Sequence, residues 1–300
     1  MSANELVCLE KVKKCYGKST VIQSLDMVLR EGECVALAGH NGAGKSTVMK
    51  LILGLISPTE GEVRLLGQQA SGRHSVKLRF DIGYLPEVVS LYPNLTGIET
   101  LDFYAKLKQV KGKSYQDLLA KVGIANAAKQ RVNTYSKGMR QRLALAQSLL
   151  GDPKIFLFDE PTTGLDPASR QQFYDVIREL RERGSTILLC THALTELEGN
   201  VDRVVVMNQG QKVADGSLDS LRTESGLRYR VQVKTAQDSP PDSTLPWQKI
   251  APSLYRFNCE QEQKMTLLGS LVQNPQVVDI NTHAPSIDEI YAHYLKREDV

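Results

Sequence analysis

The chain has 300 residues, 41% hydrophobic and 24% charged, and these proportions exclude a disordered, collagenous or disulfide-stapled protein. Its length accommodates one large domain or two modest ones. A net charge of +3 gives no reason to expect a nucleic-acid or acidic-lipid partner. No apolar run approaches the roughly 20 residues of a membrane-spanning helix, and the N-terminus has no apolar signal core. We therefore expect a chain that is neither secreted nor embedded in a membrane.

Short apolar strands alternate with amphipathic helices over about the first 220 residues. Alternating apolar and polar residues predict antiparallel strands at Leu6–Val12, Val21–Leu29 and Glu62–Leu66. Near-continuous apolar runs predict buried parallel strands at Glu33–Ala38, Ile155–Phe158, Thr186–Cys190 and Arg203–Met207. Helical patterns cover Lys45–Leu53, Thr96–Lys108, Ser136–Leu150 and Pro167–Arg183. The pattern predicts an α/β core with an added antiparallel layer.

A smaller unit follows the turn residues and short helix of Ala214–Arg228. It contains predicted strands at Tyr229–Lys234, Leu254–Asn258 and Val277–Asn281, and predicted helices at Gln261–Gln273 and Ser286–Leu295. We expect a first domain at residues 1–220 and a small α+β accessory domain at residues 221–300.

The cysteines indicate no metal site. They show no CxxC spacing and no clustering with histidine, and they are Cys8, Cys15, Cys34, Cys190 and Cys259. We expect buried, reduced thiols.

A phosphate-binding pattern, G-x-x-x-x-G-K-[ST], lies between the first predicted buried strand and the helix after it. Its residues are Gly39, His40, Asn41, Gly42, Ala43, Gly44, Lys45 and Ser46, followed by Thr47. The glycines let backbone N–H groups curl around phosphates at a helix N-terminus. Lys45 is expected to reach the β- and γ-phosphates and the Ser46 hydroxyl to ligate Mg²⁺. The His40 side chain is expected to face away from the phosphates and to pack.

Two carboxylates, Asp159 and Glu160, end an apolar strand. A strand that ends at the carboxyl edge of a parallel sheet brings Asp159 to the Mg²⁺ side of the phosphate loop. Because adjacent strand residues face opposite ways, the two carboxylates are expected to act differently. Asp159 suits the Mg²⁺ shell, and Glu160 is free to polarise an attacking water.

With the phosphate loop, the segment DEPTTGLDP at 159–167 resembles the ATPase subunits of ABC transporters, and the resemblance spans about residues 5–220. YSKGMRQR at 135–142 stands at the family's signature, and Thr191 and His192 end the next strand as its switch histidine does. Tyr16 matches the aromatic that stacks on adenine, and Glu87 stands where the Q-loop glutamine usually lies.

Taken one at a time, the weaker signals also fit ordinary structural roles. Tyr16 is equally a strand-end aromatic, and a lone histidine such as His192 is more often a capped or buried core residue. Ser136 also suits the N-cap of the following helix, and the two roles are compatible.

The resemblance implies an ATP-hydrolysing P-loop NTPase of ABC type that binds ATP with Mg²⁺. Its expected fold is a RecA-like parallel core with an antiparallel β subdomain and a helical subdomain. It implies catalytic roles for Glu160, His192 and Lys45, and Mg²⁺ contacts for Ser46, Asp159 and Glu87. It implies nucleotide contacts from Tyr16, from the loop Gly39–Thr47, and from Ser136 and Gly138.

Three departures from the family pattern stand out. In the signature, Lys137 replaces the first glycine and Met139 the glutamine. Glu87 places a carboxylate where a neutral amide is usual, and His40 stands where many members have proline or serine. Ser136 and Gly138, which would approach the γ-phosphate, remain.

The resemblance implies a head-to-tail homodimer and a separate ABC-2-type membrane permease, with the chain peripheral on the cytoplasmic face of the membrane. GHNGAGKST, GYLPE with LYPNLTGIETLDFY, and YSKGMRQRLALAQSLL are similar to the single-domain ATPases that drive ABC-2-type membrane partners. Within that group the chain resembles the ATP-binding subunit of the copper-processing transporter in nitrous-oxide reductase maturation, with weak support from PSIDEIYAHYL at 285–295. That resemblance implies copper or sulfur processing, with periplasmic maturation factors as further partners through the permease. A drug or polysaccharide exporter shares most of these features. The remaining alternatives are a soluble ABC ATPase that remodels ribosomes or DNA and a nucleotide-gated interaction module with little turnover.

Overall fold

The computed structural model describes residues 5–110 and 114–296, and its chain forms two compact units that divide between Asp215 and Gly216. The first unit contains the strands β1 (Glu5–Tyr16), β2 (Ser19–Arg30), β3 (Cys34–Ala38), β4 (Glu60–Leu65), β5 (Gln68–Gln69), β6 (Ile82–Leu85), β7 (Ile155–Asp159), β8 (Thr186–Thr191), β9 (Arg203–Asn208) and β10 (Gln211–Gly216). Its helices are α1 (Lys45–Ile52), α2 (Gly97–Leu107), α3 (Tyr115–Lys121), α4 (Lys137–Ser148) and α5 (Pro167–Glu182).

A six-stranded sheet in the order β10-β9-β3-β8-β7-β6 forms the centre of the first unit. The pairs β9-β3, β3-β8, β8-β7 and β7-β6 are parallel. Every residue of β3, β7 and β8 is buried, as expected for strands covered on both faces. Because parallel strands end at one edge, the residues that follow β3, β7 and β8 are brought together there.

A second sheet, in the order β2-β1-β4-β5, is antiparallel. Its inner residues, such as Leu9 and Leu25, share one core with Met49 of α1 and with Leu37 and Leu188 of the central sheet. The predicted α/β core with an antiparallel layer is therefore confirmed. Strands β1 and β2 are longer than predicted because their polar ends pair with each other up to Tyr16 and Ser19.

The predicted helices are confirmed to within three residues at either end, and side chains cap several of them. Thr96 and Glu99 form a capping box at the start of α2. Ser136 accepts a hydrogen bond from the N–H of Met139 and begins α4. Asp166 caps α5 in the same way.

The second unit contains α6 (Leu218–Ser225), β11 (Tyr229–Thr235), β12 (Gln248–Ala251), β13 (Leu254–Cys259), α7 (Gln261–Val272), β14 (Val277–His283) and α8 (Ile287–Lys296). Its antiparallel sheet has the order β12-β13-β11-β14 and a small core that includes Val231, Val233 and Leu271. The predicted elements are present, and β12, which was not predicted, is added. The accessory domain at residues 221–300 stays a proposal. The compact unit itself begins at Gly216, so all of α6 belongs to it.

All five cysteines are free thiols, and only Cys15 is not fully buried. Within the described part of the chain, no helix is both long and apolar enough to cross a membrane.

Candidate active site

The phosphate-binding segment lies at the carboxyl end of β3, where it turns into α1. Gly44 has φ +105°, a conformation that residues with a side chain rarely adopt, and a Cβ there would lie 2.6 Å from Ile22 Cδ1. No side chain caps α1, so its first turn presents backbone N–H groups and the positive end of the helix dipole to an anion. The loop is built to accept phosphate oxygens.

Lys45 begins α1, and its ammonium is buried against the loop. Its Nζ donates to the carbonyl oxygen of Gly39 at 2.6 Å and to that of His40 at 3.3 Å. It also lies 3.8 Å from Glu160 Oε1. The only carboxylate paired with this cation in the described chain is therefore the one predicted to activate water.

Asp159 ends β7 beside the same loop and is only 5% exposed. Its carboxylate accepts a hydrogen bond from Ser46, and burial raises its pKa above the usual range. Its Oδ1 atom is buried and has no hydrogen-bond partner in the protein. A buried carboxylate with one unsatisfied oxygen beside a hydroxyl is a set of oxygen donors that suits Mg²⁺.

Glu160 does not continue the alternation of β7. Its φ is +48°, and its N–H donates to the carbonyl oxygen of Cys190 in the neighbouring strand. This left-handed turn brings both Asp159 and Glu160 into the lining of one cleft of about 240 Å³. The expectation that they face opposite ways is therefore wrong, because the strand ends before Glu160. Their different contacts still distinguish them.

His192 follows β8 and stands at the mouth of the cleft, with 60% of its side chain exposed. Its Nδ1 lies 2.7 Å from Glu160 Oε2. Glu160, itself only 7% exposed, is thus held between His192 on one oxygen and Lys45 on the other. The arrangement leaves an exposed imidazole next to a buried carboxylate.

The segment after β6 contributes Glu87, an exposed residue that also lines the cleft. Its charge adds to the rise in the pKa of Asp159, after burial and Glu160. A third carboxylate near the Ser46–Asp159 pair increases the negative potential at this point of the cleft. That potential favours a bound cation.

His40 differs from its predicted packing role. Its side chain is exposed, and its Nε2 lies 2.9 Å from Oδ1 of Asn208. Asn208, a buried residue at the end of β9, was not predicted as part of the site. The available signal was a polar residue at the end of an apolar strand, the same signal that identified Asp159.

Five predicted nucleotide contacts do not line this cleft: Gly39 and Ala43 of the loop itself, and Tyr16, Ser136 and Gly138. Tyr16 ends β1 with about half its surface exposed, and the Lys14 ammonium lies 5.0 Å from its ring centroid. Ser136 and Gly138 form the start of α4. The structure therefore brings together the phosphate loop, Glu87, Asp159, Glu160 and His192, and it leaves the signature residues outside.

Comparison with known proteins agrees with this geometry. The family model described as ABC transporter matches residues 22–163. An uncharacterized ABC transporter ATP-binding protein of Nostoc sp. is 35% identical, and the match covers 94% of this chain and 85% of that protein. The chain belongs to the ABC transporter ATP-binding family.

Two further relatives of this ABC ATPase bear on its function. Nod factor export ATP-binding protein I of Paraburkholderia xenovorans is 38% identical, over 71% of each chain. A solved dimeric ATP-binding cassette, in a post-hydrolysis state with ADP and phosphate, is 28% identical with a TM-score of 0.66. That match covers 71% of this chain and 98% of the solved one.

The chain is accordingly an ATP-hydrolysing enzyme that uses Mg²⁺. The residues of its cleft fit both the nucleotide and the metal ion. The uncapped start of α1 and the Lys45 ammonium suit a triphosphate. The unsatisfied Oδ1 of Asp159, beside Ser46, suits the metal.

Proposed function

We propose that this ABC ATPase powers a separate ABC-2-type membrane permease of an export system, by closing as a homodimer around two ATP molecules. The observation that carries the proposal is the buried Glu160 carboxylate, held between Lys45 and His192 beside the phosphate loop. A site that only bound nucleotide would have no need of a buried carboxylate in that position. The proposal therefore includes turnover.

We assign the chemistry to a small set of side chains. Ser46 and Asp159 would hold Mg²⁺, with Glu87 facing it from the cleft wall; when bound, the metal neutralises charge on the β- and γ-phosphates. Lys45 exchanges its carbonyl partners for phosphate oxygens. Glu160 orients the attacking water and accepts its proton, and His192, at 2.7 Å, fixes the direction of the carboxylate.

The position of the signature residues supports the dimer. Ser136 and Gly138 lie at the start of α4 and do not line the cleft that holds Lys45 and Glu160. A second copy, placed head to tail, would present them to this copy's γ-phosphate and complete each site. The related cassette with ADP and phosphate is dimeric, which favours the same arrangement here. Tyr16 would stack on adenine at the open end of the site.

The export assignment rests on kinship. The Nod factor relative is named for export, and the chain would sit at the cytoplasmic face of the membrane through its permease. The narrower proposal, copper or sulfur processing for nitrous-oxide reductase maturation with periplasmic partners, rests on the sequence resemblance alone. The alternative cargo class is that of a drug or polysaccharide exporter. The alternative function outside transport is a soluble ATPase that remodels ribosomes or DNA.

The catalytic part of the proposal is tested with Glu160→Gln. The amide keeps the size of the side chain but cannot accept a proton, so we expect ATP-dependent dimerisation with turnover reduced at least about 100-fold. Glu182→Gln, an exposed change near the end of α5, is the matched control and should hydrolyse as the wild type does. Undiminished turnover of Glu160→Gln would refute the role.

The partner is tested with the same variant. It is incubated with ATP and Mg²⁺ in detergent-solubilised native membranes, and the proteins recovered with it are identified by mass spectrometry. Recovery of a polytopic permease with copper or nitrous-oxide reductase factors would establish the narrow proposal. Recovery of a permease with other proteins would support export and contradict the copper assignment. Recovery of ribosomal or DNA-repair proteins without a permease would contradict transport.

A further inference from the structure

The backbone of Glu160 requires support from outside its own strand. A non-glycine residue at φ +48° occupies a sparsely populated region and persists only where its surroundings hold it. Two backbone hydrogen bonds do so: Glu160 N–H to the carbonyl of Cys190 at 2.9 Å, and Thr163 N–H to the carbonyl of Glu160 at 3.2 Å. The next peptide, that of Pro161, is held by a side chain.

That side chain belongs to Gln141 in the second turn of α4. It is only 6% exposed, and its Nε2 donates to the carbonyl oxygen of Pro161 at 3.3 Å. A buried amide that donates to a buried carbonyl satisfies both groups, so neither is free to move without loss of a hydrogen bond. Gln141 therefore fixes the Pro161–Thr162 peptide, one peptide beyond the bond that joins the proposed base to Pro161.

Other residues of α4 pack on the same turn. The Lys137 side chain lies across Gly164, where an added Cβ would be 2.8 Å from the Lys137 Nζ. A Cβ on Gly138 would be in van der Waals contact with Leu165 Cδ2, at 3.7 Å. Residues 138 and 141 are one helical turn apart and share a face. The start of α4 and the turn at 160–165 therefore form one packed contact.

We infer that Gln141 is a positioning residue for ATP hydrolysis: it holds the turn at 160–165 so that the Glu160 carboxylate faces the phosphate side of the cleft. This inference rests on the proposed function of Glu160. It goes further because it links two functional parts of one copy, the start of α4 with the signature residues and the turn that carries Glu160. The helix whose first turn would meet the partner copy's nucleotide is the helix that fixes this copy's base.

The test is Gln141→Met, which keeps the length of the side chain and removes its donor. We expect kcat to fall at least 10-fold, while KM and ATP-driven dimerisation stay as in the wild type, because the phosphate loop and signature residues are untouched. The control is Gln147→Met, a half-buried glutamine on the same helix that should change neither. Unchanged kcat, or a higher KM with kcat unchanged, would overturn the inference.

A double variant separates positioning from general damage. If Gln141 acts through Glu160, then Glu160→Gln and Glu160→Gln/Gln141→Met should hydrolyse at the same residual rate. A further 10-fold loss in the double variant would show that Gln141 acts elsewhere and would overturn the inference. Full turnover of Glu160→Gln alone would instead overturn the proposed function, so the two failures are distinguishable.

A conservative substitution gives a pH readout that does not depend on folding of the methionine variant. In Gln141→Glu the protonated carboxyl can still donate to the Pro161 carbonyl, whereas the carboxylate cannot. We expect this variant to approach wild-type kcat at the acidic end of the profile and to lose it as pH rises. A ratio to the wild type that is constant with pH would contradict the role of the donor.

Discussion

Replacing Asp159 with asparagine should make the nucleotide-free protein more stable. The carboxylate is 5% exposed, lies near Glu87 and Glu160, and has one oxygen without a partner. An asparagine can still accept the Ser46 hydrogen bond, and its amide group can donate to a neighbouring carboxylate. Removing an unsatisfied, charged buried oxygen should stabilise by about 1–2 kcal/mol. For a unit of this size, that corresponds to a rise in Tm of about 2–8 °C.

The gain should depend on pH in a defined direction. Burial raises the pKa of Asp159 in the folded state, so the wild type binds this proton more tightly folded than unfolded. Its stability therefore falls as pH rises from the unfolded towards the folded pKa of Asp159, and the penalty is complete above the folded pKa. The advantage of Asp159→Asn should be largest above that folded pKa and should shrink as the carboxyl becomes protonated.

With Mg²⁺ and ATP bound, the wild type should become more stable than Asp159→Asn. A ligand at about 100 times its Kd stabilises the wild type by about 2.7 kcal/mol, and the variant should lose most of this gain. Thermal and denaturant unfolding with and without Mg²⁺ and a non-hydrolysable ATP analogue measure both effects. Asp175→Asn removes one charge from the surface of α5 and is the control. A destabilised ligand-free variant, or an undiminished response to Mg²⁺, would refute the reasoning.

Three further predictions concern a close backbone approach, a buried lysine and the histidine of the cleft. Gly54→Ala should lower the free energy of unfolding by at least about 3 kcal/mol, because its Cβ would lie 1.9 Å from the Ala70 carbonyl oxygen at a φ of +62°. Gly17→Ala, at a φ of +58° with open space around it, should cost only the left-handed backbone's penalty of about 1–2 kcal/mol, and equal losses in denaturant unfolding would contradict this. Burial lowers the pKa of Lys108 to about 8, so wild-type stability should rise between pH 8 and 10 by at most about 1.4 kcal/mol per pH unit, and Lys108→Met should flatten that rise in pH-dependent unfolding. His192→Ala should leave Tm within about 2 °C, since the side chain is mostly exposed, yet reduce kcat at least about 100-fold; a steady-state ATPase assay with full activity would exclude its role.

The parts of the site that follow simple patterns were predictable from sequence. The phosphate loop has fixed spacing, and Asp159 and His192 end apolar strands, so both kinds of signal lie in consecutive residues. The left-handed turn at Glu160 was not predictable, because the residue with positive φ is neither a glycine nor an asparagine. The hydrogen bonds that hold the turn come from Cys190 and Gln141. Those contacts join segments that are distant in the sequence.

Strand β6 shows how a residue can mislead when read locally. No strand was predicted at Ile82–Leu85, where Gly83 interrupts a short apolar run. In the structure, a Cβ at this position would lie 2.5 Å from both Phe156 Cδ1 and the carbonyl oxygen of Ser148. The glycine is needed because a neighbouring strand and a helix approach the backbone closely, and the sequence contains no local trace of that requirement.

The strand order of the central sheet determines when the phosphate site can form during synthesis of the chain. The phosphate loop follows β3, but β3 pairs only with β8 and β9, whose residues come about 150 positions later. At the usual translation speed this is a delay of about 8–30 s. The antiparallel sheet of β1, β2 and β4 can form during that interval, because all three strands lie within the first 65 residues. The nascent enzyme therefore has no complete phosphate site until β8 and β9 have emerged, and it cannot bind ATP productively before most of its catalytic unit exists.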